Sequence, residues 1–134
     1  MVRGARYAFF ALAWAFFIGV VVQVFLIGLG LFADREYTAL HVNFGWILHL
    51  APILVLIAAA LGRAGRNAIL LTVALVVLVF IVPILALMRD SSPVIAALHP
   101  VAALFSFALA GAVARVATQV ALRHEPDAAQ PLAT

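Results

Sequence analysis

The chain has 134 residues, of which 68% are hydrophobic and only 10% charged, with a net charge of +3 and no cysteine. Soluble domains are about 45–50% apolar and about one quarter charged, so this chain carries more apolar surface than a water-soluble fold of its size can bury. Disulfides, thiolate metal sites and thiol nucleophiles are excluded. The eight basic residues are all arginine and form no clustered face for nucleic acid.

Four uncharged stretches follow one another, at 7–33, 39–62, 67–88 and 91–114. Each exceeds the roughly 20 residues that cross a hydrocarbon core of roughly 30 Å. Lipid offers no partner to backbone N–H and C=O groups, so each crossing must be a helix. The first stretch follows Arg3 and Arg6 as a signal peptide would, but its apolar run is longer than the roughly 7–15 residues of such a peptide, and it is expected to stay in place. The connections at 34–36, 62–67 and 89–93 are too short to hold a domain. Consecutive helices are therefore antiparallel neighbours in an all-α, up-down-up-down bundle. The expected helices are 7–33, 39–62, 67–88 and 92–122 within a domain of residues 1–124, and the proline- and alanine-containing end at 125–134 reads as a disordered tail.

The arginines orient the bundle. Arg3, Arg6, Arg63, Arg66, Arg115 and Arg123 fall on one side, and only Arg35 and Arg89 on the other. The positive-inside rule places the first group, with both termini, in the cytoplasm of a multi-pass protein of the cell membrane.

No Asp, Glu, Lys or Arg lies within the four stretches, which argues against a carboxylate proton relay or a charged ion pathway. The polar groups that remain include His41, His49 and His99, with Gln23, Asn43 and Ser106. If the second helix starts near Leu40, His41 lies at its outer mouth and His49 about 12 Å deeper. Ser92 and Pro93 form a helix-opening pair, which sets His99 about 10 Å below the outer end of the fourth helix. His49 and His99 are thus the depth-matched pair, with His41 as the alternative partner.

Two imidazoles on different helices at one depth suit the axial ligation of a haem held between those helices. Gly45 lies between His41 and His49 on one helix face, where a flat ring can approach the backbone. Gly19, Gln23 and Gly30 give the first helix a small-residue face with one hydrogen-bonding group. Arg35 and Arg89 are placed to meet outward-facing propionates. Each feature also has a structural account. The glycines serve helix packing, the arginines pair in solvent with Asp34, Glu36 and Asp90, and a neutral imidazole is satisfied by a carbonyl. Pro52, Pro83 and Pro100 offer such carbonyls by freeing those of Leu48, Val79 and Ala96. Zinc is disfavoured, because adjacent-turn histidine spacing is absent. Ser106 has no acid near it to complete a nucleophile and base pair.

The runs GARYAFFALAW at 4–14, VVQVFLIGLGLF at 21–32, HVNFGWILH at 41–49 and LHPVAAL at 98–104 resemble a family of small bacterial four-helix membrane proteins of unknown function. The resemblance covers roughly residues 4–115 and implies the topology but no activity. Histidines on the second and fourth helices are, more loosely, similar to the four-helix haem b proteins of the cytochrome b type. That similarity implies His49 or His41, with His99, as ligands, and three membrane histidines cannot serve two bis-histidine haems. The expected function is a membrane haem b protein exchanging electrons on the outer side, with quinol or a larger complex. The alternative is a cofactor-free accessory subunit or assembly factor of a larger membrane complex. The wide apolar perimeter leads to the expectation of a homo-oligomer or a place in such a complex, within the lipid bilayer.

Overall fold

Charge marks the ends of the apolar stretches, but the helices run past it. In the computed structural model, which describes residues 1–122, the first helix, α1, spans Val2–Phe32 and so takes Arg3 and Arg6 into its first turns. Arginine is a good helix former, and its long stem carries the charge out to the headgroups. The Arg3 guanidinium sits 5.9 Å from the centre of the Tyr7 ring. The tail expected at 125–134 lies outside the described residues.

Helix α2 spans Glu36–Leu48 and also begins ahead of its uncharged stretch. An Asp34 side-chain oxygen accepts the backbone N–H of Glu36 at 2.9 Å, which starts the helix at the acidic residue. The second crossing, expected as one helix over 39–62, is broken. Helix α3, Ala51–Leu61, follows after a turn at His49 and Leu50. Pro52 has no N–H for the carbonyl of Leu48, and the ladder tightens there, with Leu50 N–H bonding Ile47 O at 3.3 Å.

The α3–α4 connection turns through two left-handed residues, Arg63 (φ 50°) and Gly65 (φ 96°). A side chain at Gly62 would lie 3.2 Å from the backbone nitrogen of Arg6, so this connection and the start of α1 are held in close approach. Helix α4, Arg66–Leu87, continues through Pro83 and ends in a 3₁₀ turn at Met88–Asp90. The fourth crossing is interrupted as well: α5, Pro93–Ala96, is separated by Ala97 from α6, Leu98–Ala121. Pro100, which cannot donate to the Ala96 carbonyl, accounts for that break.

The elements form an antiparallel four-crossing bundle. Helix α1 packs against α6, α2 and α3, and α4 packs against α6 and α3. The segments Val2–Phe32, Glu36–Leu61, Arg66–Asp90 and Pro93–Ala121 are each long and apolar enough to cross a membrane. Large apolar side chains such as Phe25, Leu31, Ile47 and Leu70 cover the exterior.

The two halves of the bundle differ. The buried core includes Phe9, Ala13 and Phe16 on α1, Val55, Ala58 and Ala59 on α3, Ala68, Thr72 and Leu75 on α4, and Ala110, Val113, Ala114, Ala117 and Val120 on α6, with Val20 and Val79 at its edge near the middle of the bundle. Most of it lies toward the arginine-rich end. Small residues dominate, because without a hydrophobic drive between helices in lipid, close backbone approach supplies the packing energy. Two side-chain bonds pin this half: Arg6 Nε–H donates to Gly62 O at 3.1 Å and Trp14 Nε1–H to Thr118 Oγ1 at 3.0 Å. Phe17 stacks on Phe107 with centroids 4.9 Å apart and meets the edge of Trp14. The arginine-poor half has no such core. Helix α2 buries no residue and leans on α1, while α3, its continuation, packs on both α1 and α4. The bundle therefore opens on the side away from its core.

Candidate cofactor site

Where the bundle opens, a cavity of about 530 Å³ lies among the second, third and fourth crossings and the C-terminal half of α1. This lies within the roughly 300–1,000 Å³ usual for small-molecule sites. Phe16, Leu48, Val79 and Ser106 close it toward the core, and Arg89 and Asp90 stand at its mouth. Its walls carry His41, His49 and His99 together with Gln23 and Gly45.

Two of the imidazoles are fixed in the same way. His99 Nδ1 lies 2.8 Å from the backbone oxygen of Val82 on α4, and His41 Nδ1 lies 2.9 Å from the backbone oxygen of Gln23 on α1. A carbonyl can only accept, so each Nδ1 carries a proton, and in the neutral form of either ring the Nε2 lone pair is left for another partner. The partners are not the proline-freed carbonyls of Leu48, Val79 and Ala96. Both histidines reach across to the backbone of a neighbouring crossing.

The observed helix starts change the residue count on which the depth expectation rests. Because α2 begins at Glu36, His41 lies five residues into its crossing, about 8 Å along the axis. His99 lies six residues past Pro93, about 9 Å along. His49 is thirteen residues past Glu36, about 20 Å. Counted from these starts His41 comes nearer to His99, while the His49 ring meets Phe80, two residues from the Val82 whose carbonyl holds His99, so His41 and His49 both stand as partners of His99. His49 sits at the break between α2 and α3, its ring 4.6 Å from the Phe80 ring in an edge contact and 6.0 Å from Trp46. Both aromatic contacts escape the sequence, since neither Phe80 nor Trp46 carries a polar signal.

Gly45 faces Gln23 of α1. A side chain there would meet Gln23 Nε2 at 2.5 Å, so the glycine makes room for the glutamine, and it also lines the cavity. Gln23 Nε2 donates to the backbone oxygen of His41 at 2.8 Å while the His41 ring donates to the backbone oxygen of Gln23, a reciprocal pair that locks α2 to α1. Gln23 Oε1 is buried without a hydrogen-bond partner among the described residues. Gly19 and Gly30 serve packing: a side chain would strike Leu48 at 2.5 Å from the first and Thr38 at 2.6 Å from the second.

The two outer arginines part company. Arg89 lines the mouth of the cavity and lies 3.6 Å from Asp90, both side chains at least 80% exposed. Arg35 is exposed at the start of α2, outside the cavity lining.

Among the described residues no group of three or more His, Cys, Asp or Glu is placed to hold a metal ion. A bare zinc site requires three or four such ligands. A metal that arrives in a macrocycle requires only one or two axial nitrogens, and the donor set of His41, His99 and His49 fits that demand. Its second shell fits too, since a metal-binding histidine commonly donates its other ring N–H to a carbonyl.

Fold and site together define a small four-crossing helical bundle with a histidine-lined cavity in its arginine-poor half. The chain belongs to the family described as a family of unknown function, DUF6220, which matches residues 23–89. That match holds α2 to α4 with the end of α1, and so His41, His49, Gln23, Gly45 and the Val82 carbonyl, but not His99. No curated protein and no solved structure matches the chain.

Proposed function

We propose that this protein binds haem b in the cavity of its arginine-poor half, with His99 and His41 as axial ligands, and exchanges electrons there with a lipid-soluble quinol or a larger complex. The observation that carries the reading is the pair of Nδ1 to carbonyl hydrogen bonds on the cavity wall, which fix both rings through one nitrogen and leave Nε2 as the nitrogen to bind iron. When bound, haem supplies a one-electron ferric/ferrous couple. The chain's own part is to fix both rings by main-chain bonds, to exclude water with Phe16, Leu48 and Val79, and to set Arg89 at the mouth for an acidic group. His49, deeper and against Phe80, is the alternative ligand. Titrating haemin into the purified protein in nanodiscs tests this: a saturable Soret shift at one haem per chain is expected. Absence of a saturable shift would leave His41 and His99 as staples between crossings, the arrangement of a cofactor-free accessory subunit.

The reading includes an orientation. Arg3, Arg6, Arg63, Arg66 and Arg115 lie at the tightly packed end, and Arg35 and Arg89 at the cavity end, so the positive-inside rule puts the cavity on the outer side of the cell membrane. Reporter fusions after Arg63 should read as cytoplasmic and those after Arg35 as external. The reverse pattern would place the cavity on the cytoplasmic side and remove any exchange with outer-side partners.

A further inference from the structure

Asn43 points the wrong way for a bundle of this kind. At about 100° per residue it lies about 160° around α2 from Gly45, and Gly45 faces Gln23 of α1. Asn43 therefore points away from α1, and it does not line the cavity. It is exposed, and its amide has no hydrogen-bond partner among the described residues. It lies seven residues past Glu36, about 10 Å along the crossing. Its neighbours on the same outward strip are Leu40, Ile47 and Leu50, exposed by 50%, 72% and 59%. An amide facing hydrocarbon at that depth has lost water and gained nothing, whereas Asn side chains in membrane helices find their partners across helix interfaces.

We infer that the outward face of α2 is a homodimer interface, in which Asn43 pairs with Asn43 of a second copy. Polar complementarity selects that occupant. An amide holds one acceptor and two donors, so it is complementary to itself across a twofold axis. A second copy inserted in the same orientation presents its Asn43 at the same depth by symmetry, which an unrelated helix does only if it carries a polar group at that level. Ala39, one turn before Asn43, leaves room for the two backbones to approach. Helix α2 packs chiefly on α1, and its opposite face, with Leu40 and Ile47 exposed, is open to a partner. This inference stands independently of the cofactor.

The absence of cysteine makes a clean test. Ile47→Cys, one turn from Asn43 on the same strip, should give a disulfide dimer on mild oxidation in liposomes, and Val77→Cys on the exposed side of α4 should not. Adding Asn43→Leu should weaken dimerisation by about tenfold, read by crosslinking and by energy transfer on lipid dilution, the scale of two lost intramembrane hydrogen bonds. Asn43→Gln, which keeps the donor and acceptor, should retain the dimer and shows that any loss in Asn43→Leu is not a folding defect. A chain that stays monomeric, or one that dimerises equally with Leu at 43, overturns the inference and leaves the face to lipid or to an unrelated partner.

Discussion

In the His99→Ala variant, bound haem is lost, or its spectrum changes from low-spin to high-spin. Alanine removes the one imidazole that hangs from Val82 O on the α4 side of the cavity, and no other histidine of the described fourth crossing can take its place. The His41→Ala variant should show a loss of similar size, since His41 is the proposed second ligand and is held by Gln23 O. His49→Ala should retain most of the haem, with a shifted spectrum, because its ring is engaged with Phe80 near the break in the second crossing. Added imidazole should restore the low-spin spectrum of His99→Ala by refilling the vacated ligand position, a rescue that a merely misfolded variant would not show. A purely structural role predicts another pattern: no haem in the parent, and for each alanine a loss of about 0.6–2 kcal/mol, the range for hydrogen bonds between membrane helices. If His49→Ala abolishes the spectrum and His41→Ala leaves it intact, the ligand pair is His49 and His99.

Phe9→Ala should destabilise the bundle by about 3 kcal/mol, the lower end of the range for emptying an aromatic site in a packed core. Phe9 is fully buried, 0% exposed, in the tightly packed half. The lower end applies because the separated helices in a bilayer face lipid rather than water, so the loss is of packing contacts and not of hydrophobic transfer. Reversible unfolding in bicelles measures it. The exposed Phe25, 62% accessible on the same helix, should tolerate alanine within about 0.5 kcal/mol. Equal losses at both positions would mean that the core does not sit in the arginine-rich half.

Sequence alone reveals the four crossings and their antiparallel order, since uncharged runs longer than a bilayer and connections of a few residues leave no other arrangement. It misplaces the helix starts at Val2 and Glu36, because charge at a helix end is carried to the headgroups on a long stem and does not stop the backbone. That shift bears on the site: counted from Glu36, His41 comes nearer to His99, while the His49 ring still meets Phe80, two residues from the Val82 that holds His99. The break at His49 is foreshadowed by Pro52, whereas Pro83 leaves α4 continuous, so a proline alone does not announce a break. The bonds to Gln23 O and Val82 O are invisible in sequence, because a main-chain carbonyl carries no residue signature. The role of Gly45 depends on which residue of α1 faces it, a matter of register between helices that periodicity within either one does not fix.

We propose that two carbonyl-anchored histidines hold a haem in the open half of the bundle. The most direct test is the reduced-minus-oxidised absorption spectrum of the protein purified from membranes in which haem is synthesised. The account predicts sharp α and β bands of a low-spin bis-histidine haem b at one haem per chain. A protein that folds, purifies and shows no such bands, even after haemin is supplied, contradicts it.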